Sequence, residues 1–153
     1  MRHGQKSRKR YAFDLNLKSL YIYYMEHQLF KITQNIILKN KDGKILILKH
    51  NTGKWLLPGG KINKGENSLE GLKRELKEEI GANEFKIEKI VDMDTWEEND
   101  QGYCVITFLG SASIDKIVLS EEHIDSAWID INELDKYKFW NEKIKERIRK
   151  SFI

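Results

Sequence analysis

The chain has 153 residues, 40% of them hydrophobic and 33% charged, with a formal net charge of only +3. That balance suits one globular domain around one buried core, and no stretch approaches the roughly 18 consecutive apolar residues of a membrane helix. The single cysteine, Cys104, excludes an internal disulfide.

Within the run Tyr103-Cys104-Val105-Ile106 that cysteine reads as a small buried hydrophobe. The N-terminus is positively charged, but no apolar stretch follows it directly, so no signal peptide is expected and a reducing, cytoplasmic home fits. Charge is unevenly spread. Arg2, Lys6, Arg8, Lys9 and Arg10 stand near the start without an acid, and the last helix candidate carries Lys143, Lys145, Arg147, Arg149 and Lys150 against Glu142 and Glu146. Such runs attract phosphate-rich partners, yet solvated ends are their commoner outcome. Nucleic acid is therefore kept as an alternative partner through the basic N-terminus, not as the expected one.

Residues 1 to about 12 read as a flexible basic leader. Residues 13 to 28 include Leu15, Leu17, Leu20, Tyr21, Ile22, Tyr23, Tyr24 and Met25, enough apolar surface to demand packing, whether as helix or strand. A hairpin follows: Phe30 to Leu38 and Lys44 to His50 are rich in β-branched and apolar residues, and Asn40-Lys41-Asp42-Gly43 supplies the reversal. Trp55-Leu56-Leu57-Pro58-Gly59-Gly60 cannot be helical. From Asn67 to Ile80 the period becomes helical, with Leu69, Leu72, Leu76 and Ile80 as an apolar stripe, Asn67 and Glu70 as a capping box, and Gly81 as the left-handed stop. Phe85 to Met93, Tyr103 to Leu109 and Lys116 to Leu119 read as strands, with a turn at Asn99-Asp100-Gln101-Gly102 between the first two. Ala127-Trp128-Ile129 reads as a short strand, Ile131 to Leu134 as a helical turn, and Trp140 to Phe152 as a terminal helix. Strands, helix, strands, helix in that order predict an α+β protein with a mixed sheet and helices packed on it.

At about 100° per residue, Glu75, Glu78 and Glu79 cluster on one side of the helix. Like charges at this spacing cost a few tenths of a kcal/mol per pair, a sign that a divalent cation reverses, since hard oxygen ligands suit magnesium and manganese. Three glutamates alone would describe many solvent-facing helices. The residues before them change the reading: Gly59 and Gly60 let backbone approach a metal or phosphate closely, Lys61 and Lys64 add positive charge, Glu66 stands just before the helix, and Arg74 offers a bidentate fork for a carboxylate.

These positions resemble the Nudix box: a glycine, five residues, a glutamate, seven residues, then Arg-Glu-aliphatic-x-Glu-Glu-x-Gly-aliphatic. Here they are Gly60, Glu66 and Arg74-Glu75-Leu76-Lys77-Glu78-Glu79-Ile80-Gly81-Ala82, with every fixed position met and Ala82 smaller than usual. Trp55-x-Leu57-Pro58-Gly59-Gly60-Lys61 is similar to the box entry of MutT-type members, and Glu122, six residues before Trp128, matches a further metal-binding glutamate of that group. The likeness covers about residues 30 to 136.

The resemblance implies a Nudix fold, an α/β/α sandwich, over residues 29–153, with residues 1–28 an N-terminal extension. It implies hydrolysis of a phosphoanhydride bond in a nucleoside diphosphate linked to another group, with Mg2+, or Mn2+ in its place, as cofactor. By motif position Gly59 (through its carbonyl), Glu75, Glu78, Glu79 and Glu122 would hold the metal. Glu75, Glu78 and Arg74 would be catalytic, Glu75 through water and Arg74 by fixing a glutamate. Lys61 would meet phosphate oxygens. Apart from the resemblance, Trp55 and Trp96 read as residues of loops near the site whose aromatic faces could stack on a base, against core packing as the commoner role of tryptophan. Members with ADP-ribose as substrate often carry a proline some fifteen residues after the box. The sole proline here is Pro58, which tilts the expectation toward a (deoxy)nucleoside triphosphate or dinucleoside polyphosphate. RNA 5′-pyrophosphate hydrolysis and a non-catalytic nucleotide-binding module are the alternatives. No membrane partner is expected, and a homodimer stays open. His123 reads as a surface residue.

Overall fold

The computed structural model describes residues 27–153. The leader and most of the apolar extension expected over residues 1–28 lie outside the described residues.

The first hairpin forms as its sequence demands. β1 (Phe30–Lys39) turns into β2 (Ile45–His50) through Asn40, whose N–H and side-chain oxygen close the loop on Lys44, with Gly43 at φ 75°. β1 and β2 stay paired only at Lys39 and Ile45. They then splay, and the short β4 (Gly59–Lys61) fills the gap by pairing with Thr33, Gln34 and Asn35 of β1. β3 (Trp55–Leu56) and β7 (His123–Ile129) flank β2. On its other edge β1 runs parallel to β6 (Gln101–Ser111), which pairs in turn with β5 (Lys86–Glu98). The sheet order is β3-β2-β1-β6-β5, mixed because β1–β6 alone is parallel among pairs that are otherwise antiparallel.

Each face carries its own core. Ile36, Leu38, Leu46, Leu48 and Phe108 meet Leu72, Leu76 and Ile80 of helix α1 (Ser68–Ile80). Ile37, Ile45, Ile47, Leu109 and Ile129 meet Ile144 and Ile148 of α2 (Glu142–Lys150). This is the expected α/β/α sandwich, and each of these buried side chains contributes roughly 1.5–3 kcal/mol of apolar transfer. The capping box at Asn67 and Glu70 and the left-handed Gly81, φ 72°, bound α1 as read from sequence. Leu69 departs from the expected stripe: in the first turn, beyond the sheet's cover, it is 46% exposed.

Three strand limits differ from expectation. β5 runs on to Glu98 because it pairs with β6 all the way to a two-residue turn, Asn99-Asp100, with φ 51° and 58°; its last residues are polar and carry no apolar alternation. β7 starts at His123, four residues before the expected Ala127. Lys116 to Leu119 is not a strand. Val118 and Ser120 donate their N–H groups to the carbonyls of Ile80 and Glu79 at the end of α1 instead of to a sheet, while Ile117 and Leu119 pack on the core. The last turn of a helix leaves carbonyls unpaired, and this segment satisfies them.

The terminal helix also differs from its expected role as a basic tail. Arg147 is 5% exposed and pairs with Asp92 at 3.0 Å and Asp94 at 3.3 Å; Lys150 pairs with Asp92 and Lys143 with Asp94. Lys145 and Arg149 meet Asp135. Most of that positive charge is matched within the domain. Among the described residues, no helix is long and apolar enough to cross a membrane.

Candidate active site

β4 and α1 build the site together. Pairing with β1 pins Gly59 and Gly60 against Asn35 and Gln34, and the Gln34 side chain donates to the Ser68 carbonyl at 2.8 Å, tying β1 to the start of α1. Only glycine fits here. Gly59 has φ 135°, where a Cβ would strike the Gln34 carbonyl, and a Cβ on Gly60 would strike the Glu75 carboxylate. The bare Gly60 thus lets the Glu75 carboxylate come up to the backbone, and the bare Gly59 lets β4 lie close against β1.

Glu79 is 7% exposed and its Oε2 accepts the Gly59 N–H at 2.7 Å. Burial, with further repulsion from Glu75, Glu122 and Glu78, pushes its pKa up to about 8 against the pull of that hydrogen bond. The Nε2 of His123 lies 3.6 Å from Glu79 Oε1. His123 is itself buried, 6% exposed, and burial pushes its pKa down. Both shifts favour neutral forms, so this contact is not an ion pair. His123 also shares a 3.1 Å contact with the Ser120 hydroxyl and stands edge-on to His50. The expectation of a surface histidine is wrong: extending β7 toward its start carries residue 123 to the inner face. Counting back in twos from Ile129 and Ala127 would not have found it, because those residues face the α2-side core. A shift in the β2–β7 register between Lys49 and His50 is what sets His123 opposite His50 on the α1 side.

Arg74 is the hub for the remaining acids. Nε and Nη2 grip Glu66 at 2.6 and 3.1 Å, Nη2 also donates to the Lys61 carbonyl at 3.0 Å, and Nη1 lies 2.9 Å from Glu75 and 3.1 Å from Glu78. The fork holds the Glu66 carboxyl down at about 2, well below the usual carboxylate range, with the Asn63 N–H assisting. One guanidinium therefore ties the loop before the helix to two acids of the helix. Glu75, Glu78 and Glu122 act on Glu79 as like charges, and Arg74 reaches only the first two of these, so Glu79 registers the excess.

A divalent cation fits such a donor set, because it would reverse repulsion already visible in the Glu79 shift. Among the described residues no three acidic, histidine or cysteine side chains already stand in metal-holding array. Glu75 and Glu78 turn toward Arg74, the strongest positive charge within reach. Gly59 meets Glu79 through its N–H.

The other expected residues divide. Lys61 ends β4, exposed, opposite Thr33. Trp55 is 9% exposed, edge-on to Tyr137 in the α2-side core, so its ring faces protein. Trp96 is 42% exposed and stacks on Tyr103, with ring centroids 5.3 Å apart and planes 14° apart, while Lys31 Nζ lies 5.8 Å from the Tyr103 centroid. Trp96, Tyr103 and Lys31 form one cross-strand row on the face opposite α1. The next rows along β1 hold Thr33 with Lys61, then Asn35 with Thr107 and Gly59. Asn35 Oδ1 and Thr107 Oγ1 are buried there without a hydrogen-bond partner, which is costly unless something polar enters. Sequence gave no signal for Asn35 or Thr107, since both read as ordinary polar positions in strands.

The NUDIX domain profile matches residues 29–150. The ADP-ribose pyrophosphatase of Methanocaldococcus jannaschii is 30% identical over 110 residues, covering 68% of this chain and 64% of that protein. The RNA pyrophosphohydrolase of Pelagibacter ubique is 26% identical over 140 residues, covering 72% and 89%. This chain spans 39% of a second RNA pyrophosphohydrolase, from Psychrobacter, so the first curated relatives extend well beyond the matched part. Among solved structures, the MutT protein of Methanosarcina mazei superposes with a TM-score of 0.69 at 26% identity, covering 82% of this chain and 96% of that one. The Ap4A hydrolase of C. elegans, with a TM-score of 0.68 at 21% identity over 80% and 95%, shares the fold. With box, sandwich and profile in agreement, the chain belongs to the NUDIX domain family, on its MutT-like side.

Proposed function

We propose that this protein is a Nudix hydrolase that uses a divalent metal to split a phosphoanhydride bond, with water entering at phosphorus and the bridging oxygen leaving on the other phosphate product. One observation carries the reading: a buried Glu79 driven up to about 8 among Glu75, Glu78 and Glu122, beside two glycines that cannot carry a side chain. Arg74 pairs with Glu75 and Glu78, and no ion pair with a charged base holds Glu79 among the described residues.

Glu75, Glu78, Glu79 and Glu122, with the Gly59 carbonyl, would hold Mg2+, or Mn2+ in its place. The chemistry supplied there is neutralisation of phosphate oxygens and acidification of water. The chain's own residues do the rest. Arg74 locks the Glu66 loop to the helix and sets the carboxylates of Glu75 and Glu78. Glu75, packed against Gly60, orients the attacking water and takes its proton. Lys61 meets the phosphates of the substrate. The row of Lys31, Tyr103 and Trp96 offers an aromatic face and a cation to a nucleoside, a face that stacks any base, and Asn35 and Thr107 offer unpaired polar atoms below it. Trp55 supports this wall from the core without touching the base.

The substrate class is a nucleoside diphosphate linked to another group, with a (deoxy)nucleoside triphosphate or a dinucleoside polyphosphate as first choice. A panel of these substrates with Mg2+ or Mn2+, scored by the phosphate product released, tests it; binding without turnover of any member would leave only a nucleotide-binding module. The 5′ end of RNA is the second reading, favoured by the Pelagibacter relative matched over 89% of its length. A salt-sensitive RNA affinity that disappears on removing residues 1–12 would support it over a free nucleotide.

A further inference from the structure

The α1 face of the sheet is covered unevenly. α1 packs over β4 and β1 and reaches β6 at Phe108; among the described residues no helix covers the same face of β5 or the first half of β6. By register, Phe108 faces Ile90, Ile106 faces Met93, and Ile32 lies beside Cys104. Ile90 is 61% exposed, Met93 67%, Phe30 43% and Ile32 39%, with Cys104 and Ile106 only half-buried between them. The deep burial expected of Cys104 is thus not met within the described residues. Single exposed apolar side chains are ordinary, whereas an apolar strip across three adjacent strands marks a surface that something covers.

We propose that residues 13–26 of this same chain dock on that strip. The described chain enters at His27, three residues before Phe30, and Phe30 is one end of the strip. From Gly102 to Phe108 along β6 the strip is roughly 20 Å long. Residues 13 to 26 reach between about 21 Å as a helix and about 46 Å fully extended, so they cover it in either case. Their composition is complementary: Phe13, Leu15, Leu17, Leu20, Tyr21, Ile22, Tyr23, Tyr24 and Met25 lie among only three charged residues, Asp14, Lys18 and Glu26. A tether this short gives the segment a millimolar effective concentration at the strip, well above that of a second copy in dilute solution.

Hydrogen exchange on the full chain tests this, beside a patch variant, Ile90→Asp with Met93→Asp, and a segment variant, Leu20→Asp with Tyr24→Asp. Amides of residues 13–26 are expected to be protected at a level independent of protein concentration. The patch variant loses that protection while β1 and α1 keep theirs, and the segment variant makes Met93 react faster with peroxide. If the patch variant also loses protection in β1 and α1, the Met93 rate in the segment variant decides alone. Unprotected amides over 13–26, an unchanged Met93 rate, or protection that rises with protein concentration (a second copy on the strip) overturns the proposal. Hydrolysis is not read, so the outcome is separate from the fate of the enzymatic assignment.

Discussion

On the α1 side of the sheet, Glu75 and Glu78 share one guanidinium that is already gripping Glu66, while Glu79 meets Glu75, Glu122 and Glu78 as like charges; on the α2 side, Asp92 and Asp94 share Arg147, Lys143 and Lys150. The response of the carboxyls is opposite. Glu79 is pushed up by burial and its acidic neighbours, while Asp92 and Asp94 are held below the usual carboxylate range by their cations. Each region is a patch of acids on a sheet face beside a helix. The difference lies in whether the fold supplies the counter-charge, and that separates a seam that holds the helix down from the site proposed to take a divalent cation.

The comparison breaks most visibly at Glu79. Glu79→Gln keeps the shape and the buried contact but removes the carboxyl that would ionise against a bound cation. Turnover is expected to fall about a thousandfold, or roughly 4 kcal/mol, with little loss of thermal stability in metal-free protein. Steady-state kinetics and a melting curve on the same sample check it, and undiminished turnover sinks the assignment. Gly60→Ala sharpens the same side without touching an acid. Its methyl displaces the Glu75 carboxylate, and a displacement near 1 Å costs about a hundredfold in kcat; an unchanged kcat would mean that Glu75 has no part in handling water.

On the α2 side the effect should be on stability alone. Arg147→Met leaves Asp92 and Asp94 with only their lysines and is expected to cost about 2–3 kcal/mol by urea unfolding, with activity per folded molecule unchanged. Asp92→Asn gives this a pH signature. The native carboxyl titrates below its ordinary value of about 3.9, so its stabilisation is fully present above that value and disappears as pH falls through the lower native one. Wild type and Asp92→Asn should therefore differ at pH 6 and converge in stronger acid. A gap that stays constant to pH 2 would show that packing, not charge, holds the seam. The smallest effect belongs to Trp96→Ala, expected to raise KM by about tenfold, or roughly 1.4 kcal/mol, through lost stacking while kcat stays near wild type.

Much of this was written locally. The reversal at Asn40–Gly43, the capping box at Asn67 and Glu70 and the stop at Gly81 depend on neighbouring residues, and all three stand where the sequence puts them. The glycine pair and the glutamates of α1 are legible for the same reason. What failed was non-local. Lys116 to Leu119 has strand-forming residues, but its donors go to the end of α1. Arg147 and Lys143 resemble a solvated basic face until β5 brings Asp92 and Asp94 beneath them. Trp55 and Trp96 look alike as tryptophans in a sequence, and only the sheet register buries one and opens the other. His123 likewise belongs to the site only through the pairing of β7 with β2.

The strap from Val118 and Ser120 to the end of α1 also bears on when the acid site can come into existence. It closes about forty residues of intervening chain, on the order of 3 kcal/mol of loop entropy, and it leads directly into Glu122. A chain leaving the ribosome carries a complete glutamate helix while β5, β6 and the fourth acid are still unmade. The full set of repelling carboxylates cannot gather until β7 has found β2. Under the proposed metal site, folding intermediates that lack that last pairing would hold a weaker cation trap, and metal affinity would report on completion of the sheet.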